Sequence, residues 1–130
     1  MAFFETPAFT RLVGEYLDDA GLLALQFFLS DRPESGKVIP GTGGFRKLRR
    51  GDQTRGKGKR GGLRVIYLFL PADHQVWLFT LYGKDEADDL TPTQTAQLRA
   101  AVDAELKTRQ ERHVRRSGRK PRGRNQTNKA

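Results

Sequence analysis

The 130-residue chain has a net charge of +9, 36% apolar residues and no cysteine. That size suits one domain with a modest core. Without thiols there is neither a disulfide framework nor a thiolate metal site, which fits a reducing cytoplasm. The opening residues MAFFETPAF form neither a basic leader nor a long apolar run, which argues against secretion and membrane spanning. The charge is unevenly placed: residues 46–64 carry +8, residues 107–130 carry +9, and the remainder carries −8. An acidic body with two basic appendages points to nucleic acid or an acidic protein partner, with a membrane surface a weaker third.

In chain order, residues 3–5 are expected to form a short strand. Thr6 then caps a helix that starts with Pro7, where a missing N–H costs nothing. Phe9, Leu12, Val13, Tyr16 and Leu17 recur at helical spacing. Asp18 or Asp19 caps a second helix with Leu22, Leu25 and Leu29 on its apolar face, and Pro33 ends it. Residues 40–44 (PGTGG) read as a turn and residues 45–49 as a short strand. The run LRVIYLFL at 63–70 is β-branched and aromatic, a central strand. A loop at 71–75 returns the chain into VWLFTLY at 76–82 as its antiparallel partner. Thr91-Pro92-Thr93-Gln94 matches a capping box, and Leu98, Ala101, Val102 and Leu106 follow as an amphipathic helix. Apolar periodicity stops near Gln110. The reading is an α+β domain over 1–109, a small antiparallel sheet of three to four strands with two N-terminal helices and one C-terminal helix packed on one face, followed by a basic, disordered tail over 110–130.

Several patterns do not lead to chemistry. Gly56, Gly58 and Gly61 have dinucleotide-loop spacing but precede a strand instead of opening a helix. Gly51 to Lys57 resembles a phosphate loop, yet Gly58 stands where a Ser or Thr must hold magnesium. His74 and His113 are far apart and lack a nucleophile partner. The acidic run Asp85, Glu86, Asp88 and Asp89 lacks the alternation of a calcium loop, so no metal is expected.

The segment FRKLRRGDQTRGKGKRGGLRVIY drives nine cations into the central strand. Alternation places Arg64, Ile66, Leu68 and Leu70 on one face of that strand. Arg64 is its one charged residue, at the loop-proximal end, and hairpin pairing brings it near Tyr82, Gly83 and Lys84. With Lys57, Lys59 and Arg60 in the adjoining loop, this rim suits attack of an RNA 2′-hydroxyl on its neighbouring phosphodiester. The nucleophile lies in the substrate, and the protein has to align it, stabilise the phosphorane charge and assist proton transfer. A lysine among other cations has a depressed pKa, which lets Lys59 or Lys84 act as base. RNA or DNA binding without chemistry remains open on the same residues, with Arg64 paired to a carboxylate and Tyr82 merely packed.

The string IPGTGGFRKLR…GKGKRGGLRVIY…LFTLYGKDEADDLTPTQ resembles the RelE/HigB-type toxins of bacterial type II toxin–antitoxin pairs, nearest the HigB-like, phage-associated branch. The likeness spans residues 4–106. It implies a compact, microbial-RNase-like fold that cleaves mRNA on the ribosome without metal or cofactor. It also implies neutralisation by a cognate antitoxin, commonly a helix-turn-helix protein. Matched to the family pattern, Arg64 is the phosphate clamp, Lys84 is the lysine after the last strand, Lys57 and Lys59 fall in the basic loop that positions or activates the RNA, and Tyr82 stacks or transfers a proton. Lys57 and Arg60 then position RNA, and Arg46, Lys47 and Arg49 bind its backbone. Some relatives carry arginine directly after the lysine and a tyrosine on the last helix. Here Asp85 follows Lys84, and no tyrosine follows Tyr82.

Overall fold

A computed structural model describes residues 1–51, 62–83 and 90–118, with only the backbone described at 109 and 111–118. The elements run β1 (Ala2–Glu5), α1 (Pro7–Val13), α2 (Asp19–Asp31), β2 (Lys37–Val38), β3 (Arg46–Arg50), β4 (Leu63–Leu70), a 3-10 turn (Pro71–Asp73), β5 (Gln75–Gly83) and α3 (Pro92–Gly118). Five strands form one sheet in the order β1-β5-β4-β3-β2. The fold is α+β as expected, but the sheet has one strand more than predicted and is mixed, because β1 lies parallel to β5. A parallel pair requires a long crossover, and here the whole domain between β1 and β5 supplies it. Hairpin reasoning between sequence neighbours sees only antiparallel partners. The two-residue β2 is too short to show alternation.

The helices start where the capping residues place them. Thr6 Oγ1 accepts from Phe9 N at 3.1 Å and donates to the Phe79 carbonyl at 2.6 Å, so the α1 cap also ties the helix to β5. Asp18 caps α2 through Gly21 N at 2.7 Å. At α3 the capping box closes in both directions: Gln94 N donates to Thr91 Oγ1 at 3.1 Å and Thr91 N to Gln94 Oε1 at 2.9 Å. The α3 backbone continues past the end of apolar periodicity near Gln110, to Gly118. A started helix propagates without an apolar stripe where its residues are good helix formers. The Glu, Arg, Gln and Lys of 105–112 are such residues. Residues 119–130 lie outside the described residues. Among the described residues, no helix is long and apolar enough to cross a membrane.

The helices occupy both faces of the sheet, not one. Leu63, Val65 and Tyr67 of β4 pack with Phe9, Leu25 and Leu29 under α1 and α2. Ile66 and Leu68 pack with Leu98 and Val102 of α3 on the other side. A strand covered on both faces reads as continuous apolar residues and not as alternation; six consecutive residues of β4, from Leu63 to Leu68, are buried. A β-bulge serves the same end on β5. Ile66 pairs with Thr80 while Tyr67 pairs with Leu78, leaving Phe79 as the extra residue. The inserted residue lets Val76, Leu78 and Leu81 all face α1 and α2, and turns Tyr82 with Phe79 to the α3 face.

Tyr67 anchors the chain between α2 and β2. Its hydroxyl donates to the Pro33 carbonyl at 2.8 Å and accepts from Gly36 N at 2.9 Å. Burial pushes this phenol above its ordinary pKa. A raised pKa favours the neutral folded phenol, so its contribution is fully present below the unfolded value of about 10 and is lost as pH rises through the folded value. Tyr67→Phe strands a buried N–H and is expected to lower stability by about 1–3 kcal/mol at neutral pH. It should also flatten the alkaline decline. Urea melts at neutral pH and at about pH 11 check both effects.

Candidate nucleic-acid interface

The chain makes its cations diverge by simple alternation. On β3, Arg46, Leu48 and Arg50 pair with Tyr67, Val65 and Leu63 and share the α1/α2 face. Lys47 and Arg49 pair with Ile66 and Arg64 and share the α3 face. Arg64 therefore sits in a cross-strand row, with Arg49 on one side and Tyr82 on the other. The bulge at Phe79 is what sets Tyr82 on that face. Residues Arg50, Leu63 and Gly83 form the next row, at the end of the sheet. Segment 52–61 leaves and returns at that row, and Lys84 follows Gly83 directly.

Arg64 is only 3% exposed. Its Nη1 donates to the Leu63 carbonyl over a long 3.5 Å, and it makes further interactions as well. Arg49 is exposed and Lys47 half-buried on the same face. Like charges directly opposite across a strand pair are destabilising, so the Arg49–Arg64 register is not chosen for stability. Arg49→Gln is expected to raise stability by a few tenths to about 1 kcal/mol while weakening RNA binding. Paired denaturant melts and filter-binding titrations check the opposite signs.

Arg46 lies on the far face from this row. Its Nη1 donates to the carbonyls of Glu34 and Gly36 at 3.0 and 2.8 Å, and Nη2 stands 3.7 Å from the Glu34 carboxylate. It thus fastens the Pro33–Gly36 loop beside the Tyr67 hydroxyl. Of the three cations proposed on this strand, Lys47 and Arg49 accompany Arg64 and Arg46 does not. Lys57, Lys59, Arg60 and Lys84 lie outside the described residues, as do Asp85, Glu86, Asp88 and Asp89.

Arg50 was not singled out from the sequence, although alternation separates it from Arg49. Its guanidinium lies 5.2 Å from the centre of the Phe28 ring, and burial pulls its pKa below the usual value. His74 adopts a left-handed backbone (φ 53°) in the β4–β5 turn, a position suited to the turn and remote from the Arg64 row. Among the described residues, no cluster of three His, Asp or Glu side chains could hold a metal ion.

The site thus has an arginine under cover, with exposed Arg49 and half-buried Lys47 on the same face, and a tyrosine in register. Cations grouped in this way have the chemistry to bind and polarise a phosphodiester. Compared with models of known protein families, the chain matches none.

Proposed function

We propose that this chain is the toxin of a type II toxin–antitoxin pair, an mRNA endoribonuclease that acts on the ribosome and blocks translation. The single observation supporting it most is the Arg49–Arg64–Tyr82 row at the end of the sheet where the basic segment begins and ends. In this reading Arg49 and Lys47 hold the RNA backbone with Lys57 and Arg60. Arg64 meets the non-bridging oxygens as negative charge grows on the phosphorane. Lys84 or Lys59 takes the proton from the 2′-hydroxyl and, once protonated, returns one to the departing 5′-oxygen, while Tyr82, whose hydroxyl is buried, packs beneath the row. Fixed cations stabilise a transition state that carries more negative charge than the substrate, so neither metal nor cofactor is required. A small helix-turn-helix antitoxin is the proposed partner, and the cytoplasm the proposed location.

The burial of Arg64 favours a second reading. A largely covered arginine is ordinarily paired and structural, and the chain would then be a basic RNA- or DNA-binding protein, or an inactive toxin fold kept for its antitoxin. Both readings give salt-sensitive binding, so scission alone separates them. The test is primer extension on a reporter mRNA in a translating extract given wild-type or Arg64→Ala protein. Translation-dependent cuts that vanish in the variant support the nuclease. Tight RNA or ribosome binding with no cuts moves the chain to the second reading.

A further inference from the structure

A cleft of about 390 Å³ lies between the start of α2 and the end of β3, on the face opposite Arg64. Tyr16, Leu17 and Ala24 give it apolar walls, while Asp18, Arg50 and Gly51 supply its polar rim. The two charged side chains line one cleft without an ion pair between them. Arg50 is instead steadied over Phe28. Asp18 caps α2 at Gly21 N through one lone pair of one oxygen, so its carboxylate keeps acceptor sites on both oxygens for a ligand. The cleft therefore offers a planar donor fork and an anionic acceptor across an apolar slot.

A phosphate would be repelled by Asp18, and an apolar ligand would cover both charged groups without hydrogen-bonding to either. A flat ring bearing hydrogen-bond donors beside an acceptor satisfies both. Guanine fits best among the bases: its N1–H and exocyclic amine suit a carboxylate, and its O6 is a preferred acceptor for arginine. Chain geometry makes a nucleic acid the natural source. Arg50 is the neighbour of Arg49 on the opposite face of β3, and Gly51 at the cleft's lip leads into the basic segment 52–61. A strand held on the Arg49–Arg64 row would have to turn around the end of β3 to place an adjacent base in the slot.

We infer that this cleft is a nucleobase subsite selective for guanine, with Asp18 accepting from the base's N1–H and amine and Arg50 donating to O6. The assignment builds on the RNA reading of the opposite face and names a base preference for it. It is tested without any cleavage, by titrating the full chain with 5′-GMP, 5′-AMP, 5′-CMP and 5′-UMP and following backbone amide resonances of Gly21, Ala24 and Gly51. The expected result is that GMP shifts these amides and binds more tightly than the other three. Asp18→Ser keeps a capping oxygen but removes the carboxylate. Arg50→Met keeps an apolar stem on Phe28 but removes the fork. Each should weaken GMP by about tenfold and leave AMP unchanged. Equal shifts with all four nucleotides, no shifts at these amides, or GMP affinity that survives both substitutions overturns the subsite. GMP binding in a chain that cuts no RNA keeps the subsite and sinks the nuclease. Cutting without GMP binding does the reverse.

Discussion

Arg64→Ala is expected to slow RNA cleavage by roughly 10²–10³-fold, the usual consequence of deleting one electrostatic donor from a site where charge develops. Because Arg64 is 3% exposed and sits in the middle of a three-strand row, the loss must be separated from unfolding. Circular dichroism and a thermal melt of the purified variant do so. Arg64→Lys sharpens the test: it restores a positive charge without the planar two-point fork. A phosphate-clamping role predicts partial recovery in Lys, at least about tenfold below wild type, with folding intact in both variants. A purely structural arginine predicts that activity tracks stability, so a variant that melts like wild type also cuts like wild type. Folded Arg64→Ala that cuts at the wild-type rate removes Arg64 from the chemistry altogether.

How much of this was legible in the chain depends on the range of each interaction. β4 was readable to the residue because Leu63–Leu70 is apolar, β-branched and aromatic, and the three helix starts because Thr6, Asp18 and Thr91 act within one turn. The juxtaposition of Arg64 and Tyr82 followed from hairpin pairing across a short turn. What failed was non-local. The partner of β1 lies some seventy residues along the chain. The second covered face shows in the unbroken apolarity of β4, a signal that the expectation of helices on one face does not use. The bulge at Phe79 leaves no composition signal, although it decides which face carries Tyr82. Arg46 and Arg49 are chemically alike in the sequence. Only their opposite faces, and the Pro33–Gly36 loop that meets one of them, distinguish a fastening from an exposed cation.

Gly43→Ala is expected to be strongly destabilising. The turn before β3 is closed by Thr42, whose hydroxyl donates to the Ile39 carbonyl at 2.7 Å and accepts from Phe45 N at 3.1 Å. Gly43 follows it with φ +82°, a left-handed conformation that costs an L-residue about 1–2 kcal/mol. A Cβ at this position would also stand 2.8 Å from Val102 Cγ1 and 2.9 Å from Arg99 Cδ. Arg99 is exposed and can move aside, but Val102 is buried against the sheet. Overpacking there adds about 1–3 kcal/mol. The sum, about 2–5 kcal/mol, is a large share of an ordinary domain's 5–15 kcal/mol and implies a melting point lower by roughly 10 °C or more. Gly43→Ala combined with Val102→Ala separates the two causes in a double-mutant cycle. The steric part should be relieved, making the pair less destabilised than the sum of the singles, whereas the backbone part should persist. Strict additivity would place the whole cost in the backbone. A wild-type melting point in Gly43→Ala would mean that α3 does not press on this turn. Because Val102 and Leu98 share a cluster with Ile66, the pair partner of Lys47, lifting α3 at Gly43 should loosen the Arg64 face as well, so RNA affinity is expected to fall together with stability.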